Sequence, residues 1–507
     1  MNSTIIGLLT VIVIYLIAMV AIGIYFSSKN NDVGDFYLGG RKLGPIVTAM
    51  SAEASDMSSW LLMGLPGLAY LTGCASPGWT AIGLAIGTYL NWLIVAKRLR
   101  RYTAANNSIT IPDFFSNRYR DNSHALLAIS AIIIVIFFVP YTASGFAACG
   151  KLFSTLFDIP YAPAMIVSAI IIVAYTALGG FLAASTTDLI QSIVMTLALI
   201  IVVVFGINVA GGLDVVLANA QSLDGYLTLF ASHDTASGTS TPYNTLTIVS
   251  TLAWGLGYFD MPHILLRFMG IENENKLKLS RRIASIWVVI SMFIAIFIGV
   301  IGYSMTKAGA IEVLGTSSDA ETLIVKIAML LSNHGVFAII MAGLILAGIL
   351  ACTMSTSDSQ LLAASSSVSQ NLLHDCLGLK LSEKTSMLVA RLTVILIAVI
   401  GVILAWDPDS SVFSIVSFAW AGFGASFGPV MLFALFWKRS NRNGALAGMI
   451  VGGVMVFLWK YLIAPMGGIW SIYELLPAFI CSSIAIVVVS LLTAPPAKEI
   501  VEEFENI

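Results

Sequence analysis

Apolar stretches of about 20 residues recur along the whole chain, and they leave few folds open. The hydrocarbon core of a bilayer takes about 20 apolar residues per helix. On that ruler thirteen segments qualify, near 5–26, 43–72, 77–97, 124–150, 161–180, 186–210, 243–268, 283–305, 321–367, 386–406, 411–436, 444–464 and 473–493. The ninth exceeds one span, which predicts a short helix, a turn near Asn333-His334-Gly335 and then the membrane helix proper. Of the 507 residues 58% are hydrophobic and 10% charged. Soluble domains carry roughly 25% charged residues, so lipid must be the solvent for most of this surface. The first apolar run has no small-residue cleavage motif and reads as a membrane helix rather than a signal peptide.

The few charges are informative by position. With the N-terminus outside, 21 of the 25 Lys and Arg fall on the inner side, Lys29, Arg41, Lys42, Arg267 and Lys380 among them. That bias predicts an outside N-terminus and a cytoplasmic C-terminus in a cell (inner) membrane. Net charge is −2, so no global field favours nucleic acid. A glycine-rich phosphate loop is absent, so ATP is not an expected partner. The tail after Thr493 is short and acidic, so no fused soluble domain is expected. Five dispersed cysteines show neither disulfide nor metal spacing. The five histidines are equally scattered, so nothing suggests an intramembrane enzyme.

Two spans look unlike packing helices. The second holds Ser51-Ala52-Glu53-Ala54-Ser55-Asp56-Met57-Ser58-Ser59-Trp60 in mid-span. A carboxylate at the bilayer centre costs about 2.5–3.5 kcal/mol even on the lenient scale, and this stretch has two. It predicts an unwound segment lining a cavity, or else a solvated loop between two short helices. The seventh holds Trp254-Gly255-Leu256-Gly257-Tyr258-Phe259-Asp260-Met261-Pro262-His263, where two glycines and a proline interrupt a helix. An ordinary proline kink would read the same way. The two interruptions lie five spans apart, and such a pair in corresponding positions points to a transporter's binding site. The ninth span carries Ser355-Thr356-Ser357-Asp358-Ser359, a run of oxygen-bearing side chains suited to a hard cation or to helix packing.

On these segments the sequence resembles the sodium:solute symporter family, and within it the proline-transporting bacterial members. The resemblance is carried by Ser55-Asp56-Met57-Ser58 with Trp60 to Gly67, and by Trp254 to Phe259 with Pro262-His263-Ile264 and Arg267-Phe268-Met269. Tyr175-Thr176 with Gly179-Gly180-Phe181, and Lys438-Arg439 with Gly444-Ala445 and Gly448, add to it. It implies an all-α integral membrane protein of the leucine-transporter type, with two inverted five-helix repeats at 43–212 and 243–437. Residues 1–42 and 438–507 would be accessory. The implied activity is import of L-proline coupled to a co-transported sodium ion; pantothenate, a monocarboxylate or a sugar is the same-fold alternative, and a channel the remote one. Carried over residue by residue, the sodium ligands are the carbonyls of Ala54, Met57 and Cys352 and the hydroxyls of Ser355 and Thr356, with Asp56 supporting ion coupling. The substrate set is Ser58, Trp60, Tyr141, Trp254, Tyr258 and Pro262. Arg41 and Asp188 match a charged gating pair. Glu53, Ser59 and Asp260-Met261 depart from the family pattern and place two extra acids at the interruptions.

Overall fold

The computed structural model describes residues 3–27, 33–235, 237–379 and 382–507. Lys29 and Lys380 fall outside them. Among the described residues, helices occupy most of each of the thirteen apolar segments, and ten helices are long and apolar enough to cross a bilayer. The elements that position the site are, in chain order, α1 (Ser3–Ser27), α2 (Pro45–Ser59), α3 (Leu65–Thr72), α4 (Ala75–Leu90), α5 (Ala125–Phe157), α6 (Tyr161–Val209), α7 (Thr245–Leu252), α8 (Pro262–Gly270), α9 (Leu277–Lys307), α10 (Val336–Ser366), α11 (Glu383–Leu404), α12 (Val412–Phe436), α13 (Arg442–Leu458) and α14 (Leu475–Leu492). The expected short helix before α10 is present at Leu323–Leu331.

Helix faces are sorted inside out relative to a soluble protein. Ile14, Ile17, Ile170, Phe293 and Ile403 stand more than half exposed on the outer faces, while Ser355, Asp188, Glu53 and Gln360 are buried. That arrangement suits a surface solvated by lipid. Helices α2, α6 and α10 pack on one another at the centre, α1 lies against α6 and α10, and α13 and α14 pack together on α12.

Three breaks interrupt this bundle. The first corrects the expectation of an unwound Ser51–Trp60 stretch. Helix α2 runs intact through Met57, and only Ser58 leaves helical geometry (φ 46, ψ −173), followed by a π-helical turn at Trp60–Gly64. The polar side chains do not unwind the backbone because they find partners elsewhere. Ser51 donates to Asp188 at 2.6 Å, Ser55 to the Ala52 carbonyl at 3.0 Å, and Glu53 accepts from the Trp92 indole at 3.0 Å. The second break is a 3₁₀ segment, Ala253–Phe259, that ends at Asp260 and an extended Met261. Pro262 opens α8 at its first turn, where its missing N–H costs nothing. The third is Gly180 (φ 65, ψ −167), the whole connection between the fifth and sixth apolar segments. One departure from an all-helical chain is a hairpin, β1 (Ala231–Asp234) and β2 (Thr239–Pro242), in the loop after α6.

Candidate functional site

The break at Ser58 brings α2 against the polar face of α10. The Ser355 hydroxyl donates to the Ala54 carbonyl at 2.8 Å and lies 3.2 Å from the Cys352 carbonyl. The Thr356 hydroxyl is also 3.2 Å from that carbonyl. Four of the five expected sodium-site oxygens therefore converge on one point between the helices. The fifth, the Met57 carbonyl, sits at the break and accepts from the Trp60 N–H. Adjacent residues on a helix diverge by about 100°; Ser355 and Thr356 meet because both turn toward the carbonyl one turn back.

Asp56 lies on the neighbouring face of α2. One carboxylate oxygen accepts from the Tyr258 hydroxyl and the other has no hydrogen-bond partner. The Tyr141 hydroxyl donates to the Asp56 carbonyl at 3.3 Å. Asp56 thus ties the first broken helix to the second and to α5.

Beside Asp56 is a cavity of about 10 Å³, room for about one water, lined by Asp56, Trp60, Leu84, Tyr141, Trp254, Val416 and Trp420. Its wall is aromatic. Trp254 stacks 5.2 Å from Tyr473 and lies 5.9 Å from Trp60, with Phe413 within 6.3 Å of both tryptophans. Of the six expected substrate residues, Trp60, Tyr141 and Trp254 line this cavity. Tyr258 reaches it through Asp56, Ser58 is the hinge and accepts from the Trp60 N–H at 3.1 Å, and Pro262 sits apart at the start of α8. Trp420 was missed. Its indole donates to the Trp254 carbonyl at 2.8 Å. Trp420 lies more than 150 residues from either break, and no local pattern marks it.

The structure does not pair Arg41 with Asp188. Asp188 forms an ion pair with Arg267 at 3.0 Å, both fully buried, and Arg267 also donates to Ser51 and Ser359. Arg41 instead donates to the carbonyls of Met269, Thr103 and Ser108 at 2.7–2.9 Å. The reason is geometric: the left-handed turn at Gly40 and Arg41 sends the guanidinium to the end of α8, while Asp188 faces its middle. Both residues grip α8, separately. Arg267, counted from sequence as a loop charge, belongs to the buried core.

Comparison with known proteins places the chain in a family and a fold. The family profile described as sodium:solute symporter family matches residues 36–452. The chain is 42% identical to the sodium/proline symporter of Haemophilus influenzae (97% of this chain, 96% of the relative), and 41% identical to the osmoregulated proline transporter OpuE of Bacillus subtilis (96% and 94%). It is 40% identical to the sodium/proline symporter of Escherichia coli (97% and 94%). Among solved structures, a Na⁺-coupled sialic acid symporter in a substrate-bound outward-open state superposes with a TM-score of 0.79 at 17% identity, over 97% of this chain and 99% of that one. MHP1, a nucleobase-cation-symport-1 family transporter, gives 0.55 at 13% identity, over 93% and 98%. These two likenesses concern the fold, which is of the leucine-transporter type. By profile and near-full-length identity, the chain belongs to the sodium:solute symporter family.

Proposed function

We propose that the protein is a secondary active transporter that imports L-proline together with sodium. The observation that carries this reading is the convergence of the Ala54 and Cys352 carbonyls with the Ser355 and Thr356 hydroxyls, next to an aromatic cavity that shares Asp56. The names of its relatives supply the cargo.

The mechanism follows from where the oxygens sit. A sodium ion there would bridge α2 and α10, so binding favours the arrangement in which the break at Ser58 shapes the substrate cavity. Coupling is reciprocal: if sodium tightens proline binding, proline tightens sodium binding by the same factor. The apolar proline ring suits the Trp60–Trp254 wall, and freed backbone donors at the broken helices suit its carboxylate. One charge crossing 100 mV contributes about 2.3 kcal/mol, and a tenfold sodium gradient about 1.4 kcal/mol. Together these sustain accumulation on the order of several hundred-fold.

Two inverted repeats, 43–212 and 243–437, supply to the site the breaks at Ser58 and at Ala253–Phe259 respectively, and rocking of the bundles exposes the site to either side. Arg41 and the Asp188–Arg267 pair serve as separate gating contacts, both holding α8. The cation bias of the loops supports an outside N-terminus and cytoplasmic C-terminus in the cell membrane. Proteoliposomes with an imposed sodium gradient test the reading. Labelled proline should accumulate, collapse with the gradient and be displaced by unlabelled proline, not by pantothenate, a monocarboxylate or a sugar. Accumulation without sodium, or displacement by one of those solutes instead, would overturn it.

A further inference from the structure

The aromatic wall of the cavity is backed by a residue from outside the two proposed repeats. Trp254 belongs to the 3₁₀ segment Ala253–Phe259, which carries two glycines. Hydrogen bonds in such a segment are poorer than in an α-helix, so a side chain there takes its position from what packs against it. Trp420 holds the backbone. Its indole donates to the Trp254 carbonyl at 2.8 Å, and a Cβ on Gly257 would lie 2.1 Å from the same nitrogen. The Trp254 ring rests on Tyr473, in the loop just before α14, with centroids 5.2 Å apart and planes inclined by 19°.

Tyr473 is itself fixed at both ends. Its backbone N–H donates to the Ser250 hydroxyl at 2.7 Å, and its own hydroxyl donates to the Ser417 carbonyl at 2.7 Å. Ser250 stands on α7, one turn before Trp254, and Ser417 on α12, one turn before Trp420. One residue therefore spans the two elements that supply both tryptophans. The cavity is lined by Trp254 and Trp420 but not by Tyr473, so Tyr473 stands behind the wall and acts on the cavity through Trp254. A wall already held in its bound position pays little ordering entropy when a ligand arrives.

We propose that Tyr473 is a positioning residue for substrate recognition: anchored to α7 and α12, it fixes the Trp254 indole against which the substrate ring packs. The inference rests on the symport reading and is tested by labelled-proline binding to the purified protein at saturating sodium. Tyr473→Leu should weaken proline binding by about three- to tenfold, the range of one aromatic stack. Tyr473→Phe keeps the ring and loses only the Ser417 anchor, so it should recover most of the affinity. In a Trp254→Phe background, Tyr473→Leu should cost no more than about twofold, because the two residues act as a unit. Sodium binding measured without proline should be unchanged in Tyr473→Leu. No proline binding by the parent would overturn the symport reading and this assignment with it. Parent binding that Tyr473→Leu leaves intact would overturn the assignment alone. So would an equal loss in both backgrounds, or a matching fall in sodium affinity, which would mark a general loss of structure.

Discussion

At the scale of single residues, the site separates groups that bind an ion from groups that hold charge in place. We place Asp56 with the first kind as a proposal, acting through its charge. Asp56→Asn should raise the sodium needed for half-maximal proline uptake by at least tenfold, about 1.4 kcal/mol, as read from uptake against sodium concentration. Ser355→Ala and Thr356→Ala each remove an oxygen from the point where α2 meets α10, and should shift the same curve in the same direction. Ser366, whose hydroxyl bonds only the Ala363 carbonyl of its own helix, is the control; Ser366→Ala should leave the curve in place. The Asp188–Arg267 pair belongs to the second kind. Removing one partner strands a buried charge, which costs about 3–5 kcal/mol. Asp188→Asn and Arg267→Met should each lower the unfolding temperature of the detergent-solubilised protein, while the double variant should recover part of the loss. A double-variant loss equal to the sum of the two single losses would show that the pair itself contributes nothing.

At the scale of elements, Ser58 and Gly180 show two treatments of one backbone shape. Both residues have positive φ with ψ near ±170°, a region nearly reserved for glycine. Gly180 occupies it without strain. Ser58 does so at a cost of about 1–3 kcal/mol, held by packing on both sides of the break and by the Trp60 N–H. Ser58→Gly should therefore raise the unfolding temperature. If the hydroxyl serves the substrate, the same variant should weaken proline binding at saturating sodium. Higher stability together with weaker binding is the expected pair of results; unchanged binding would confine Ser58 to a hinge role.

At the scale of the whole molecule, the loop charges make a directional statement. Ser237, beside the β1–β2 hairpin, and Ala104, in the basic stretch after α4, are both exposed. With the five native cysteines replaced, Ser237→Cys should react with a membrane-impermeant maleimide on intact cells. Ala104→Cys should react only after permeabilisation. The opposite pattern would invert the proposed orientation.

The apolar helices, the two interruptions and the oxygen-rich face of α10 were legible in the sequence because each depends on composition over a few turns. Lipid demands continuous apolar helices, so any polar run within one stands out. The exact form of the first break was not legible. Whether Ser51, Glu53 and Ser55 unwind the backbone depends on Asp188, Trp92 and the Ala52 carbonyl, two of which lie on other helices. Trp420 and the true partner of Asp188 were hidden for the same reason. Composition and periodicity decide which segments enter the membrane. Only packing decides which buried charge meets which across 79 residues of chain, as Asp188 meets Arg267, because a low-dielectric interior makes every such pairing a property of the assembled neighbours.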